Sequence, residues 1–146
     1  MDKFDERILQ QLKGDGRISN VELSERVGLS PSATLRRVQE LERTEVITGY
    51  RAVLSNERLG VGFVAYVSIG LSSHRKQSQL EFEEHVRFED EVVECHNITG
   101  ANEYLLRVET KDLLSYKRFH ADVLGECVHV KSITTMVVMD TPKDQR

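Results

Sequence analysis

The 146-residue chain contains no tryptophan, two prolines and two cysteines. Cys95 and Cys127 form neither a C-x-x-C pair nor a secreted disulfide framework, so a cross-linked scaffold is excluded and a reducing compartment is the simpler expectation. Long apolar runs are missing too. The longest uncharged stretch, residues 59–73, is too short and too rich in Gly and Ser to span a bilayer, so no membrane partner is expected. Met-Asp-Lys-Phe-Asp-Glu-Arg at the start lacks the apolar core of a signal peptide, which predicts a cytoplasmic protein. There is no nucleophile motif and no Gly-rich phosphate loop. The acidic runs Glu83-Glu84 and Glu89-Asp90-Glu91 fall in or beside a helical pattern, where a solvated face explains them. The expectation is a chain that is not an enzyme and needs no cofactor. Finally, there is no excess of positive charge. Residues 1–54 hold nine Lys+Arg and nine Asp+Glu, so the net charge of -4 belongs wholly to the rest.

What is present is an ordinary globular composition, 39% apolar and 30% charged, which excludes disorder. Within it, residues 19–43 read as two short helices joined at Gly28. Ser19 and Glu22 have the S-x-x-E spacing of a capping box, which places a helix start near Asn20. Val21, Leu23 and Val27 supply its buried side, and Gly28 can adopt the left-handed conformation that ends it. Ser30 offers a second N-cap, with Pro31 at the first helical position, where a missing N–H costs nothing. Leu35, Val38 and Leu41 recur at a spacing of three and are expected inward, leaving Ser32, Thr34, Arg36, Arg37 and Gln39 outward. Phe4, Ile8, Leu9 and Leu12 mark one more helix upstream, closed by Lys13 and Gly14, while Val46-Ile47 and residues 50–54 read as an extended exit.

Two capped helices around a glycine turn are written as a helix-turn-helix, and hydroxyls beside guanidiniums on the second helix suit double-stranded DNA. Hydroxyls and N–H groups at a helix start can hold phosphate, and arginine can grip phosphate or the O6/N7 edge of guanine. The candidate DNA-facing set is Ser30, Ser32, Ala33, Thr34, Arg36, Arg37 and Gln39.

The second half changes period. Phe63, Ala65, Val67, Ile69 and Leu71 alternate as a strand, residues 77–88 read as a helix, and residues 92–99 and 104–110 form a hairpin around Gly100-Ala101-Asn102. Asp112 caps a helix carrying Leu113, Tyr116, Phe119 and Val123, and Ile133, Thr135, Val137 and Met139 alternate along a last strand. The order βαββαβ predicts a ferredoxin-like domain. The whole is α+β: an N-terminal winged-helix-like helix-turn-helix domain over 1–53, a linker over 54–62, a βαββαβ domain over 63–140 and a tail over 141–146. All five histidines lie in the second half, but Cys95 and His96 are neighbours on a strand and point to opposite faces, so no metal site is expected.

Several separated segments carry a resemblance. Residues 15–31, Arg37-Val, Leu41-Glu-Arg, Ile47-Thr-Gly-Tyr, Glu94-Cys-His-Asn-Ile-Thr-Gly, Glu103-Tyr-Leu-Leu and Val137-Val-Met, in order, closely resemble the Lrp/AsnC family of transcription regulators. The resemblance implies a sequence-specific regulator that dimerises through the second domain and assembles further, in the family often to octamers. It also implies a small amino-acid effector bound between subunits near the hairpin. The matching residues are Gly100, Ala101, Asn102, Glu103 and Tyr104, with Thr135 adding a hydroxyl from a neighbouring chain. Gly100 would let backbone approach a ligand, Glu103 would take the ammonium group, and Tyr104 or Asn102 would line the pocket. Effector identity stays open between apolar and polar amino acids. The alternative is an assembly or adaptor protein whose helix-turn-helix has turned to protein contacts and which has no effector, a reading that the neutral first half keeps alive.

Overall fold

The structure, a computed structural model, describes residues 1–146. Contacts divide the chain into Met1–Val53 and Leu54–Arg146.

The first unit has three helices, α1 (Lys3–Gly14), α2 (Asn20–Val27) and α3 (Pro31–Arg43). Each begins on a side chain that satisfies orphan N–H groups. Asp2 accepts from Phe4 and Asp5 while Asp5 accepts from the Asp2 amide, Ser19 accepts from Glu22 at 3.1 Å, and Ser30 accepts from Ala33 at 3.2 Å. Gly28 ends α2 at φ 77°, where a side chain would be strained. Ile8, Leu23, Val27 and Leu41 form the core, flanked by Leu9, Leu12, Ile18, Leu29, Val38 and Ile47.

Two expected core positions are elsewhere. Val21 is 58% and Leu35 46% exposed, whereas Thr34 is fully buried. The helical repeat explains the shift on α3. At about 100° per residue, Leu35 and Leu41 lie about 120° apart, too far for one narrow stripe, whereas Thr34, Val38 and Leu41 fall within about 60°. The exit segment forms no strand: Ile47 folds back on the core, and the Tyr50 hydroxyl donates to Glu42 Oε1 at 2.8 Å.

The second unit carries β1 (Phe63–Leu71), α4 (Lys76–Val86), β2 (Val92–Asn97), β3 (Tyr104–Thr110), α5 (Leu113–Phe119) and β4 (Val130–Val137), with a π-helical turn (His120–Leu124) continuing α5. The antiparallel sheet runs β2-β3-β1-β4, the ferredoxin-like order. Inward residues of β1 and β3 (Ala65, Val67, Ile69, Leu71, Tyr104, Leu106 and Val108) pack with Phe82, Val86, Tyr116, Phe119 and Leu124 from the helical layer. The opposite sheet face, with Tyr66, Ser68, Leu105, Arg107, Thr134 and Met136 in register, is covered by no helix. Residues 54–62 are a closed turn rather than a loose connector. Val61 N donates to Asn56 O at 2.9 Å, and a Cβ at Gly62 would come within 2.6 Å of the Lys111 carbonyl.

Candidate nucleic-acid interface and effector site

Helix α3 is fixed at its N-terminal end by its own cap and by α2, since the Asn20 side chain donates to the Pro31 carbonyl at 2.8 Å. On the outer face Ser30, Ser32, Arg36 and Gln39 are exposed and Ala33 is half-buried. Arg36 takes part in no ion pair or side-chain hydrogen bond, so its guanidinium is available to an anion. Ser30 Oγ already caps the helix and lies 3.3 Å from Ser32 Oγ.

Two of the expected contacts are placed differently. Thr34 is fully buried and its hydroxyl donates to the Ser30 carbonyl at 3.0 Å, so it presents nothing to DNA. Arg37 turns toward α1, where Nη1 lies 2.8 Å from Asp2 Oδ2 and 3.0 Å from Asp5 Oδ1, and its guanidinium stacks 5.3 Å from the Phe4 ring centre. The Asp5 amide first, and Arg37 second, hold the Asp2 carboxyl below the usual carboxylate range. Arg37 thus fastens α1 to the reading helix. A guanidinium held by two carboxylates is a poor partner for phosphate. Arg43, further along, is held bidentately by Glu40.

The hairpin between β2 and β3 ends two residues earlier than expected, at Asn97, so residues 98–103 form a wider loop. Ile98 N donates to Glu103 O at 2.8 Å, Asn97 Nδ2 donates to the same carbonyl, and Glu103 N donates to Ile69 O. The amides of Thr99, Gly100, Ala101 and Asn102 make no backbone bond, and Gly100 takes φ 116°. Asn102 reaches over the open sheet face, donating to Ser68 Oγ at 2.7 Å. It sits beside Gly70, where a Cβ would collide with both Asn102 and Ser132. Gly100, Ala101 and Asn102 are therefore together at an exposed mouth of free amides, with Ser68, Gly70 and Ser132 beneath them.

The other three expected effector residues are committed within the chain. The Glu103 carboxylate accepts from the Leu71 amide at 2.7 Å, opposite the extra residue Lys131 that bulges β4, and its other oxygen lies 3.1 Å from His74 Nδ1. Tyr104 is 1% exposed, its ring 4.7 Å from Phe82 and its buried hydroxyl without a partner. Burial first, and the nearby Glu83 carboxylate next, push its phenol up to about 12. Thr135 points into the helical layer and is hydrogen-bonded to the Tyr116 hydroxyl.

Concavities of about 250 Å3 between α4 and β2 and about 310 Å3 beside α5 involve none of the hairpin loop. No cluster of three metal-binding side chains occurs, and no helix is long and apolar enough to cross a membrane.

Comparison with known proteins agrees with this division of labour. A family model described as the Lrp/AsnC ligand binding domain matches residues 64–146, and one described as winged helix-turn-helix DNA-binding matches residues 1–48. The chain is 40% identical to a proline dehydrogenase transcriptional activator of Rhizobium radiobacter, over 99% of this chain and 92% of that protein. It is 38% identical to the leucine-responsive regulatory protein of Escherichia coli K12, over 98% and 87% respectively. Among solved structures, a transcriptional regulator of Neisseria meningitidis in complex with L-methionine superposes with a TM-score of 0.95 at 36% identity, covering 99% of this chain and 93% of that one.

Proposed function

The chain belongs to the Lrp/AsnC family of transcriptional regulators, and from that premise we propose how it reads DNA and what it senses. The carrying observation is the N-terminal end of α3, where an unpaired Arg36 stands among Ser30, Ser32 and Gln39 on one exposed face. Inserted in a major groove, this end puts hydroxyls on phosphate and Arg36 on phosphate or a guanine edge. Chains associate through the uncovered face of the sheet. Each pair sets two readers at half-sites about one helical turn, roughly 34–36 Å, or a multiple apart, and pairs assemble into higher oligomers.

The effector is an amino acid held at the hairpin mouth. Free amides of residues 99–102 suit its carboxylate, and Asn102 suits a polar group. One chain supplies only an open shelf there, so a second chain completes the walls. The L-methionine complex of the Neisseria regulator supports an amino acid in this role. Binding biases one arrangement of subunits over another, with a coupling on the order of 1 to 3 kcal/mol, and so changes the spacing of the readers in the cytoplasm.

Thermal unfolding against a panel of single amino acids tests this, with sedimentation of the same samples. A saturable rise in midpoint with one or a few of them, together with a changed oligomer distribution or DNA affinity, is expected. A bound ligand that alters neither would refute the coupling.

A further inference from the structure

The reading face of α3 exposes one large apolar side chain. Leu35 is 46% exposed and is absent from the residues packed on the core of the first unit. A single half-exposed leucine is ordinary on a protein surface. What singles out Leu35 is its place. Counted from Ser32, Leu35, Arg36 and Gln39 stand at i+3, i+4 and i+7, so the four share an arc of about 100° opposite the buried line of Thr34, Val38 and Leu41. At about 1.5 Å per residue this arc runs roughly 10 Å along the helix, the height of about three base pairs. Every other member of the arc can donate a hydrogen bond. Leu35 can offer only methyl groups.

We propose that Leu35 is a specificity-determining residue that packs against the 5-methyl group of a thymine in the major groove, beside the polar contacts of Ser32, Arg36 and Gln39. The inference rests on α3 being the DNA reader. Its chemistry follows from the groove: the thymine methyl is the one apolar mark on a base edge there, and an apolar side chain is what recognises it. Leu35 separates T from C at its position, because cytosine lacks the methyl that the side chain packs against. Arg36, one residue on, reads or anchors the neighbouring step.

The test uses the full-length protein and duplexes selected by it from a randomised pool. Thymines of the selected site are replaced one at a time by deoxyuridine, which pairs identically but lacks the methyl. At one position in each half-site the wild-type affinity falls about fourfold, the worth of burying one methyl. Leu35→Ala binds the thymine duplex more weakly by at least that factor and loses nothing further on the deoxyuridine duplex. Equal wild-type affinity for thymine and deoxyuridine at every position overturns the proposal and leaves DNA reading intact, and this arm depends on no variant. A Leu35→Ala protein that still discriminates as wild type also overturns it, since another group then holds the methyl. Failure of the pool to yield any preferred sequence overturns the underlying assignment of α3 instead.

Discussion

Removing the hydroxyl of Tyr104 should make the second unit more stable, although Tyr104 lies at the centre of its core. In Tyr104→Phe the ring keeps its place 4.7 Å from Phe82 and between β3 and α4, so packing is retained. What disappears is a buried hydroxyl with no hydrogen-bond partner. Such a group costs roughly 1–3 kcal/mol of desolvation in the folded state and nothing in the unfolded state, where water satisfies it. A gain of about 1 kcal/mol is therefore expected, equivalent to about 4–8 °C for a domain of this size. Urea unfolding followed by circular dichroism measures it. Alkaline pH supplies a second readout. The folded phenol titrates at about 12, above its ordinary 10.0, so the folded state keeps its proton after the unfolded state has lost it. The stability tied to this group is intact below pH 10 and lost as pH rises toward 12, and Tyr104→Phe lacks that part of the loss. Because the ring faces the core and not the hairpin mouth, the rise in midpoint produced by an amino-acid ligand should survive the change. A loss of 1 kcal/mol or more on Tyr104→Phe would refute this reasoning and mean that the hydroxyl has a bonded partner in solution.

Thr34→Val removes only the bond to the Ser30 carbonyl, so it should cost roughly 1 kcal/mol of stability in the first unit and leave DNA affinity unchanged. A folded variant binding about tenfold more weakly would place Thr34 on DNA after all. Arg36→Ala should leave melting unchanged and reduce the slope of log affinity against log salt by about 0.9 for each phosphate that is no longer neutralised. Arg37→Ala should lower the melting midpoint of the first unit by freeing Asp2 and Asp5, and titrations with duplex at several salt concentrations, run beside melting curves, would expose any exchange of these two roles. Gly70→Ala pushes its new methyl into Asn102 and Ser132 and breaks the Asn102–Ser68 bond, so the ligand-induced midpoint shift should vanish while strand content is retained. A full shift in that variant would move the effector site away from the hairpin mouth.

The elements are legible where local chemistry writes them. Ser19, Gly28, Ser30 and Pro31 announce α2 and α3, and period-two alternation announces β1, β3 and β4. The phase of α3 is misread because threonine looks polar in sequence, yet in a helix its hydroxyl can bond the carbonyl four residues back and the side chain can be buried. The fate of Arg37 is hidden for a different reason, since its partners lie 32 and 35 residues away on another helix. Tyr104 and Thr135 are legible after all. Tyr104 shares strand parity with Leu106 and Val108, and Thr135 with Ile133 and Val137, which turns both toward the helical layer. Glu103 is open to no such reading. Its carboxylate caps the Leu71 amide where β4 bulges at Lys131, and that bulge has no sequence signature here.

On the proposed reading, the charge balance of the first unit makes the pairing of readers the main source of DNA affinity. Residues 1–54 have nine cations and nine acids, and Arg26, Arg37 and Arg43 are spent in ion pairs within the unit. On α3 that leaves Arg36 as the only unpaired cation. Phosphate neutralisation supplies most non-specific affinity, and a reading helix with one free cation, in a unit whose cations and acids balance, gains little from it. Two readers joined through the second unit, as proposed, would face their half-sites at an effective concentration in the millimolar range, which multiplies weak single contacts without any new one. That gain exists only while the spacing of the readers matches the spacing of the half-sites. On that reading, a small molecule that altered how the second units pack would act on the main source of DNA affinity without touching α3.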